Sequence, residues 1–281
     1  MTPELDLQDP AIVREVLAFA VEAARHAGRL ALGFFQHGAH THATVNTKHG
    51  GSPVTEADLL ANSALEQRLK ARFPEAGWLS EETVDDPSRL SRRVVVIVDP
   101  IDGTRGFVAG DPRWAVSVGF VLDGRPIVGV VHAPALDETY AAVRGEGATL
   151  NGASIAVSNR TVLAGARAAG PKASAAAVLT AGLPLEIIPK IPSLAYRLAQ
   201  VARGTIDVAI ASGDSHDWDI AAADLIVHEA GGRLTSLDGE VPTYNRHDLT
   251  HGALYAASAC LHNTLLEAAK CTTPPSATVR A

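Results

Sequence analysis

Cysteine is almost missing from this chain: Cys260 and Cys271, both close to the C-terminus, are the only two in 281 residues. Two thiols in a chain of this length make no disulfide framework, so a reducing compartment is expected. No apolar run approaches the roughly 18 residues of a membrane span. The N-terminus opens with Glu4, Asp6 and Asp9, without the basic segment and apolar core of a secretory signal. Basic blocks are missing too, and the formal net charge is −7, so a nucleic acid polymer is not the expected partner. Small anionic substrates stay compatible if a bound metal offsets their charge. A dinucleotide-binding domain is excluded because no Gly-x-Gly-x-x-Gly follows a strand. Internal repeats are absent. The expectation is a cytoplasmic, globular chain, with 47% hydrophobic and 20% charged residues and length enough for one large core or two moderate ones.

The most informative stretch is Val94-Val95-Val96-Ile97-Val98-Asp99-Pro100-Ile101-Asp102-Gly103-Thr104. Five consecutive β-branched aliphatics read as a strand buried on both faces. The run ends in two carboxylates and a Gly-Thr pair, which suit a cation and a phosphate better than they suit packing. An ordinary Asp-Pro turn is the bland alternative.

Around it, helical spacing of apolar residues predicts a helix over 11–36, with Asp9-Pro10 as N-cap and first turn. Residues 38–52 read as a polar surface loop; with His37 just before it, it holds His40, His42 and His49. A second helix opens at 53–58, where Thr55 and Asp58 match a capping pattern; its apolar positions are Leu59, Leu60, Ala64, Leu65 and Leu69. Trp78–Ser80 reads as a short strand ending at Glu81-Glu82. A short helix through Phe107 and strands at 114–122, 127–132 and 139–143 follow, with Asp123-Gly124 and Asn151-Gly152 as hairpin signals. Residues 158–192 are alanine-rich and weakly patterned, so a boundary is placed at 157/158. It separates an N-terminal subdomain, 1–157, from a C-terminal one, 158–271. Helices are expected at 193–203, 217–230 and from Leu261, with strands at 206–210, near Leu234 and at 253–257. Residues 272–281 read as a disordered tail.

Acidic residues stand where elements start or end: Asp58, Glu81-Glu82, Asp99 with Asp102, and Asp217 with Asp219. Each has a local explanation, and Asp217 reads as a helix cap. Together they form an oxygen-only ligand set, which selects hard cations such as magnesium or manganese. Asp99 and Asp102 flank one turn and could share two ions, an arrangement that stabilises both oxygens of an in-line displacement at phosphorus. A helix beginning at Gly103-Thr104 would aim backbone N–H groups at a phosphate.

Asp99-Pro-Ile-Asp-Gly-Thr104, Leu79-Ser-Glu-Glu82, Val54-Thr-Glu-Ala-Asp58 and Trp218-Asp219 resemble the four signatures of the inositol monophosphatase superfamily. Gly145–Gly152 and Glu229–Gly232 are similar to further landmarks, and the likeness runs over about residues 11–270. The resemblance implies a layered αβαβα sandwich with mixed sheets, in a magnesium-dependent, lithium-sensitive phosphatase, often dimeric, that hydrolyses a small phosphate ester by metal-activated water. Carried over by position, Glu81, Asp99 and the Ile101 carbonyl would hold one ion. Asp99, Asp102 and Asp219 would hold a second, and a third, weaker ion would lean on Glu81. Thr104 and Asp58 would activate the water, Gly103 and Thr104 would receive the phosphate, and Lys48 matches a lysine near the site.

Substrate is the open question. Fructose-bisphosphatases carry Gly-Ser where this chain has Gly103-Thr104. Inositol-specific members continue with Thr-Asn-Phe and keep a glutamate before Trp-Asp; this chain has Arg105-Gly106-Phe107 and Ser212, with Asp214 the nearest acid. Leu79–Glu82, Arg105 and Gly129–Pro134 resemble the 3'(2'),5'-bisphosphate nucleotidase branch, and a second phosphate would benefit from Arg105 or Lys48. Adenosine 3',5'-bisphosphate is therefore the favoured substrate, with inositol monophosphate and then histidinol phosphate as alternatives. His216 is a further candidate for substrate contact. Haloacid-dehalogenase chemistry is disfavoured because its aspartates are two apart, not three. A non-catalytic regulatory protein is disfavoured because every ligand position is filled.

Overall fold

Asp9 opens the first helix as its position predicts: its Oδ1 accepts the N–H of Ala11 at 2.8 Å, and Pro10 takes the first helical place. The structure is a computed structural model and describes residues 5–48, 50–171, 182 and 185–272. His49 and residues 273–281, most of the expected tail, lie outside the described residues. Helix α1 (Pro10–Leu32) buries Val13, Val16 and a run of alanines, and stops at Gly33, short of the expected residue 36. Strand β1 (Val45–Thr47) lies within the stretch that reads as a loop, and it pairs antiparallel with β2 (Pro53–Thr55), which occupies the first residues of the stretch that reads as the opening of the second helix. Three-residue strands are too short to leave an alternation in the sequence.

Helix α2 (Glu56–Arg72) starts with the expected capping box of Thr55 and Asp58. Its inward face is Ala57, Asp58, Ala61, Asn62, Leu65 and Leu69. Leu59 and Leu60, expected on that face, are 51% and 42% exposed. Polar contacts set the rotation of this helix: Asp58 bonds to Thr55, and Asn62 Oδ1 accepts Ser80 Oγ at 2.7 Å.

Strands β3 (Gly77–Ser80) and β4 (Val94–Asp102) precede a short helix α3 (Thr104–Val108). Strands β5 (Ala115–Leu122), β6 (Arg125–Ala133), β7 (Glu138–Val143), β8 (Gly147–Leu150) and β9 (Ala153–Ile155) complete a seven-stranded sheet in chain order. Only β3 and β4 run parallel within it. All nine residues of β4 are buried. Pairing of β4 with β5 shifts register between Asp99 and Asp102, so the strand bends where its carboxylates stand. Both hairpin signals are turns with positive φ at the expected Asp123-Gly124 and Asn151-Gly152.

The second half holds β10 (Ala166–Ala169), β11 (Leu185–Ile187), α4 (Leu194–Ala202), β12 (Val208–Ala211), β13 (Ser215–His216) and α5 (Asp217–Glu229). Then come β14 (Gly232–Thr235), β15 (Thr250–His251), β16 (Leu254–Ser258) and α6 (Ala259–Thr272). A mixed five-stranded sheet has the order β11-β10-β12-β16-β14. Its strand expected from residue 206 begins at Val208, because the Asp207 carboxylate instead accepts Ser158 Oγ and the N–H of Arg167. Helices α1 and α2 cover one face of the large sheet, α4 and α5 fill the space between the sheets, and α6 lies outside the small one. This is the expected layered sandwich. Helix α5 approaches the large sheet so closely that a Cβ on Gly129 would stand 2.4 Å from the Ala222 carbonyl oxygen. Among the described residues no helix is long and apolar enough to cross a membrane.

Candidate active site

The bent end of β4 and the first turn of α5 bring three carboxylates together: one oxygen from each of Asp99, Asp102 and Asp219 lies within 4.8 Å of the others. Asp99 is 1% and Asp102 6% exposed. Burial, followed by the charges of Glu81, Asp102 and Asp219, holds Asp99 well above the usual carboxylate range. Asp219 is raised in the same way, by burial and then by Asp102, although the N–H of His216 donates to it at 2.6 Å. Like charges packed this closely away from water repel, and an oxygen-seeking cation relieves both the repulsion and the lost hydration. The residues present fit a divalent metal.

Asp102 is held from a direction that sequence reasoning missed. Its Oδ2 accepts the Ser193 hydroxyl at 2.5 Å and the N–H of Ala195 at 2.6 Å, at the N-terminus of α4. Burial pushes Asp102 up to about 6, with these donors pulling against it. A serine before Leu-Ala signals a helix start, but nothing local links it to an aspartate 91 residues earlier. Gly103, with φ +89°, allows the contact, since a Cβ there would lie 2.9 Å from the Ser193 nitrogen.

Asp58 combines the two readings its sequence left open. Its Oδ2 caps α2, accepting the N–H and hydroxyl of Thr55 at 2.7 and 2.6 Å. Its Oδ1 is left for Thr104, whose Oγ1 lies 3.2 Å from it and 3.0 Å from the Ile101 carbonyl. Burial raises Asp58, and the Thr55 bonds oppose that rise.

Glu81 stands beside the three-carboxylate group without joining it. Lys48 Nζ lies 2.7 Å from Glu81 and 2.6 Å from Glu82. Burial works to lower Lys48, but the two glutamates outweigh it and its pKa rises. Burial pushes Glu82 up to about 7 against the pull of Lys48.

Lys48, Glu81, Asp99, Asp102, Thr104 and Asp219 line a cleft of about 620 Å³, together with Arg105, Lys190, Ser212, Asp214, His216 and Trp218. The His216 and Trp218 rings stack with centroids 4.7 Å apart. Arg105 and Lys190 are exposed and make no ion pair among the described residues. Asp217 is not the expected helix cap, because His216 holds that position. Its buried carboxylate instead accepts the N–H of Asn245 at 2.8 Å and contacts His251 Nε2 at 2.7 Å, which braces the start of α5.

The sequence model of the inositol monophosphatase family matches residues 12–272, from α1 through α6. The chain belongs to the inositol monophosphatase family. Members of this family are phosphatases, and the match takes in every residue of the cleft. Inositol monophosphatase 2 of Solanum lycopersicum is 35% identical, over 91% of this chain and 98% of that one. The histidinol-phosphatase of Mycobacterium tuberculosis is 37% identical, over 79% and 86%. The 3'(2'),5'-bisphosphate nucleotidase CysQ of Aggregatibacter actinomycetemcomitans is 32% identical, over 85% and 91%. Among solved structures, an IMPase of Thermotoga maritima matches with a TM-score of 0.79 at 29% identity, covering 92% of this chain and 98% of that one. Family membership thus reaches the reaction class, while relatives of similar identity carry names for three different substrates.

Proposed function

We propose that this phosphatase is a magnesium-dependent phosphomonoesterase acting on adenosine 3',5'-bisphosphate. The observation that carries the reading is a floor of three converging carboxylates beneath a rim bearing Arg105 and Lys190, two cations without an ion pair among the described residues. The floor suits one phosphate with its metal, and the rim suits a second anionic group. Glu81, Asp99 and the Ile101 carbonyl would hold one ion, and Asp99, Asp102 and Asp219 another. Two Mg²⁺ ions so held would neutralise charge on the phosphoryl group and lower the pKa of a water.

The chain's own groups do the rest. Thr104 Oγ1 can donate to Asp58 while accepting from a water, so it orients that water and gives its proton a path to the carboxylate. The stacked His216 and Trp218 rings offer a flat wall to the leaving group. One observation favours a second reading: Asp214 lines the cleft beside Ser212, where it suits the hydroxyls of an inositol phosphate or the ammonium of histidinol phosphate.

Turnover of adenosine 3',5'-bisphosphate, inositol 1-phosphate and histidinol phosphate, with magnesium and then with added lithium, tests the proposal. The nucleotide should be hydrolysed fastest, and lithium should inhibit. Cleavage of the inositol or histidinol ester without the nucleotide would overturn the substrate assignment.

A further inference from the structure

Arg197 is the one cleft residue that is both cationic and deeply buried, at 3% exposure. It makes no ion pair among the described residues. Its Nη1 donates to the Ile210 carbonyl at 2.8 Å and its Nη2 to the Ile191 carbonyl at 2.7 Å. Its Nε, also buried, has no hydrogen-bond partner among the described residues. A guanidinium taken out of water without a carboxylate on it is costly to keep. Burial accordingly lowers its pKa to about 10, with only the charge of Asp102 acting in the other direction.

The two carbonyls it joins begin the two outer walls of the cleft. Ile191 lies between Lys190 and Pro192, and Ile210 is followed by Ser212, Asp214 and Ser215, all of which face the cleft. In the reading above, these walls would face the part of an ester remote from the three carboxylates. The 190–194 wall has a second anchor in Ser193, whose hydroxyl donates to Asp102 on the floor and whose N–H donates to the Arg113 carbonyl at 3.4 Å.

We propose that Arg197 is a specificity-determining positioning residue, which fixes the spacing of the walls at 190–194 and 212–215 around the leaving group. It acts through the chain carbonyls of Ile191 and Ile210 and does not touch the reacting atoms. The inference rests on the phosphatase reading above but not on which ester is preferred.

The test compares wild type with Arg197→Met, which keeps the volume and loses both bonds, and Arg197→Lys, which keeps the charge and can reach one carbonyl. Three quantities are read: kcat and KM for the preferred ester, the same for 4-nitrophenyl phosphate, and Mn²⁺ binding by electron paramagnetic resonance. Arg197→Met should lower kcat/KM for the preferred ester about tenfold or more, chiefly through KM. Turnover of 4-nitrophenyl phosphate and Mn²⁺ affinity should stay within about twofold, and Arg197→Lys should fall between. Loss of both activities in proportion, a parallel loss of Mn²⁺ binding, or no change in the ratio overturns the inference. Where Arg197→Met does not fold, Arg197→Lys carries the same comparison. If wild type turns over no ester, calorimetry of adenosine 3',5'-bisphosphate against inorganic phosphate on the Mn²⁺-loaded protein reads the same ratio. Failure of the phosphatase reading is thereby told apart from failure of the role given to Arg197.

Discussion

The Ser193 hydroxyl donates a hydrogen bond to Asp102 while the same oxygen accepts the N–H of Tyr196, so one side chain caps a helix and steadies a carboxylate of the acidic centre. Ser193→Ala removes both contacts. Loss of the cap costs about 1 kcal/mol, and a hydrogen bond to a charged group contributes about 1.5–3 kcal/mol. At about 2–4 °C per kcal/mol the melting temperature should fall by several degrees. Mn²⁺ affinity should weaken with it. Unchanged values of both would show that Ser193 supports neither.

Replacing Asp99 should separate stability from activity. Its carboxylate is buried against Glu81, Asp102 and Asp219, so in metal-free protein it destabilises the fold at neutral pH. Asp99→Asn should raise the melting temperature in chelator, and under the proposed magnesium scheme it should abolish the further rise expected when magnesium is added to wild type. Turnover should drop about a hundredfold or more. A variant as active as wild type would sink the shared-ligand scheme.

His132 supplies a pH dependence away from the cleft. It is 5% exposed and packs beneath Gly28, and burial lowers its pKa to about 4. Between that value and the unfolded value near 6.5 the unfolded chain binds a proton that the native chain refuses. Stability from the neutral ring is therefore complete above about pH 6.5 and is lost as pH falls toward 4. Urea unfolding at pH 7 and pH 5 should show a drop in wild type that is smaller in His132→Phe. Parallel drops in the two proteins would remove His132 as its source.

Gly129→Ala should push α5 off the large sheet, since the new Cβ would sit 2.4 Å from a backbone oxygen that cannot rotate away. Overpacking of this kind costs about 1–3 kcal/mol. Gly119→Ala, whose nearest contact would be 3.3 Å, is the milder control. Thermal melts should rank wild type, Gly119→Ala and Gly129→Ala in that order, and Mn²⁺ affinity should follow because α5 carries Asp219. Equal melting of the two variants would contradict the close approach.

Local chemistry explains what could be read before the fold was known. The β4 run, the Thr55–Asp58 capping box and the two hairpin turns are written in adjacent residues, so their places follow directly from the sequence. Apolar spacing points Leu59 and Leu60 inward, but the rotation of α2 depends on Asn62 meeting Ser80, which only the assembled sheet provides. Asp217 reads as a cap from its neighbours alone, since its partners Asn245 and His251 are 28 and 34 residues away. The Ser193 brace and the Arg197 bridge were hidden for the same reason. The carboxylates themselves were legible as a set because oxygen ligands at element ends are chemically unusual even without coordinates.

The brace on Asp217 also sets when the centre can form. Asp58, Glu81, Asp99 and Asp102 are synthesised early, but Asp219 reaches them only on a helix anchored by Asn245 and His251. At about 5–20 residues per second, a ribosome needs on the order of ten seconds to pass from Asp102 to His251. A cation held by all three carboxylates would therefore be captured only after the segment carrying Asn245 and His251 has been made.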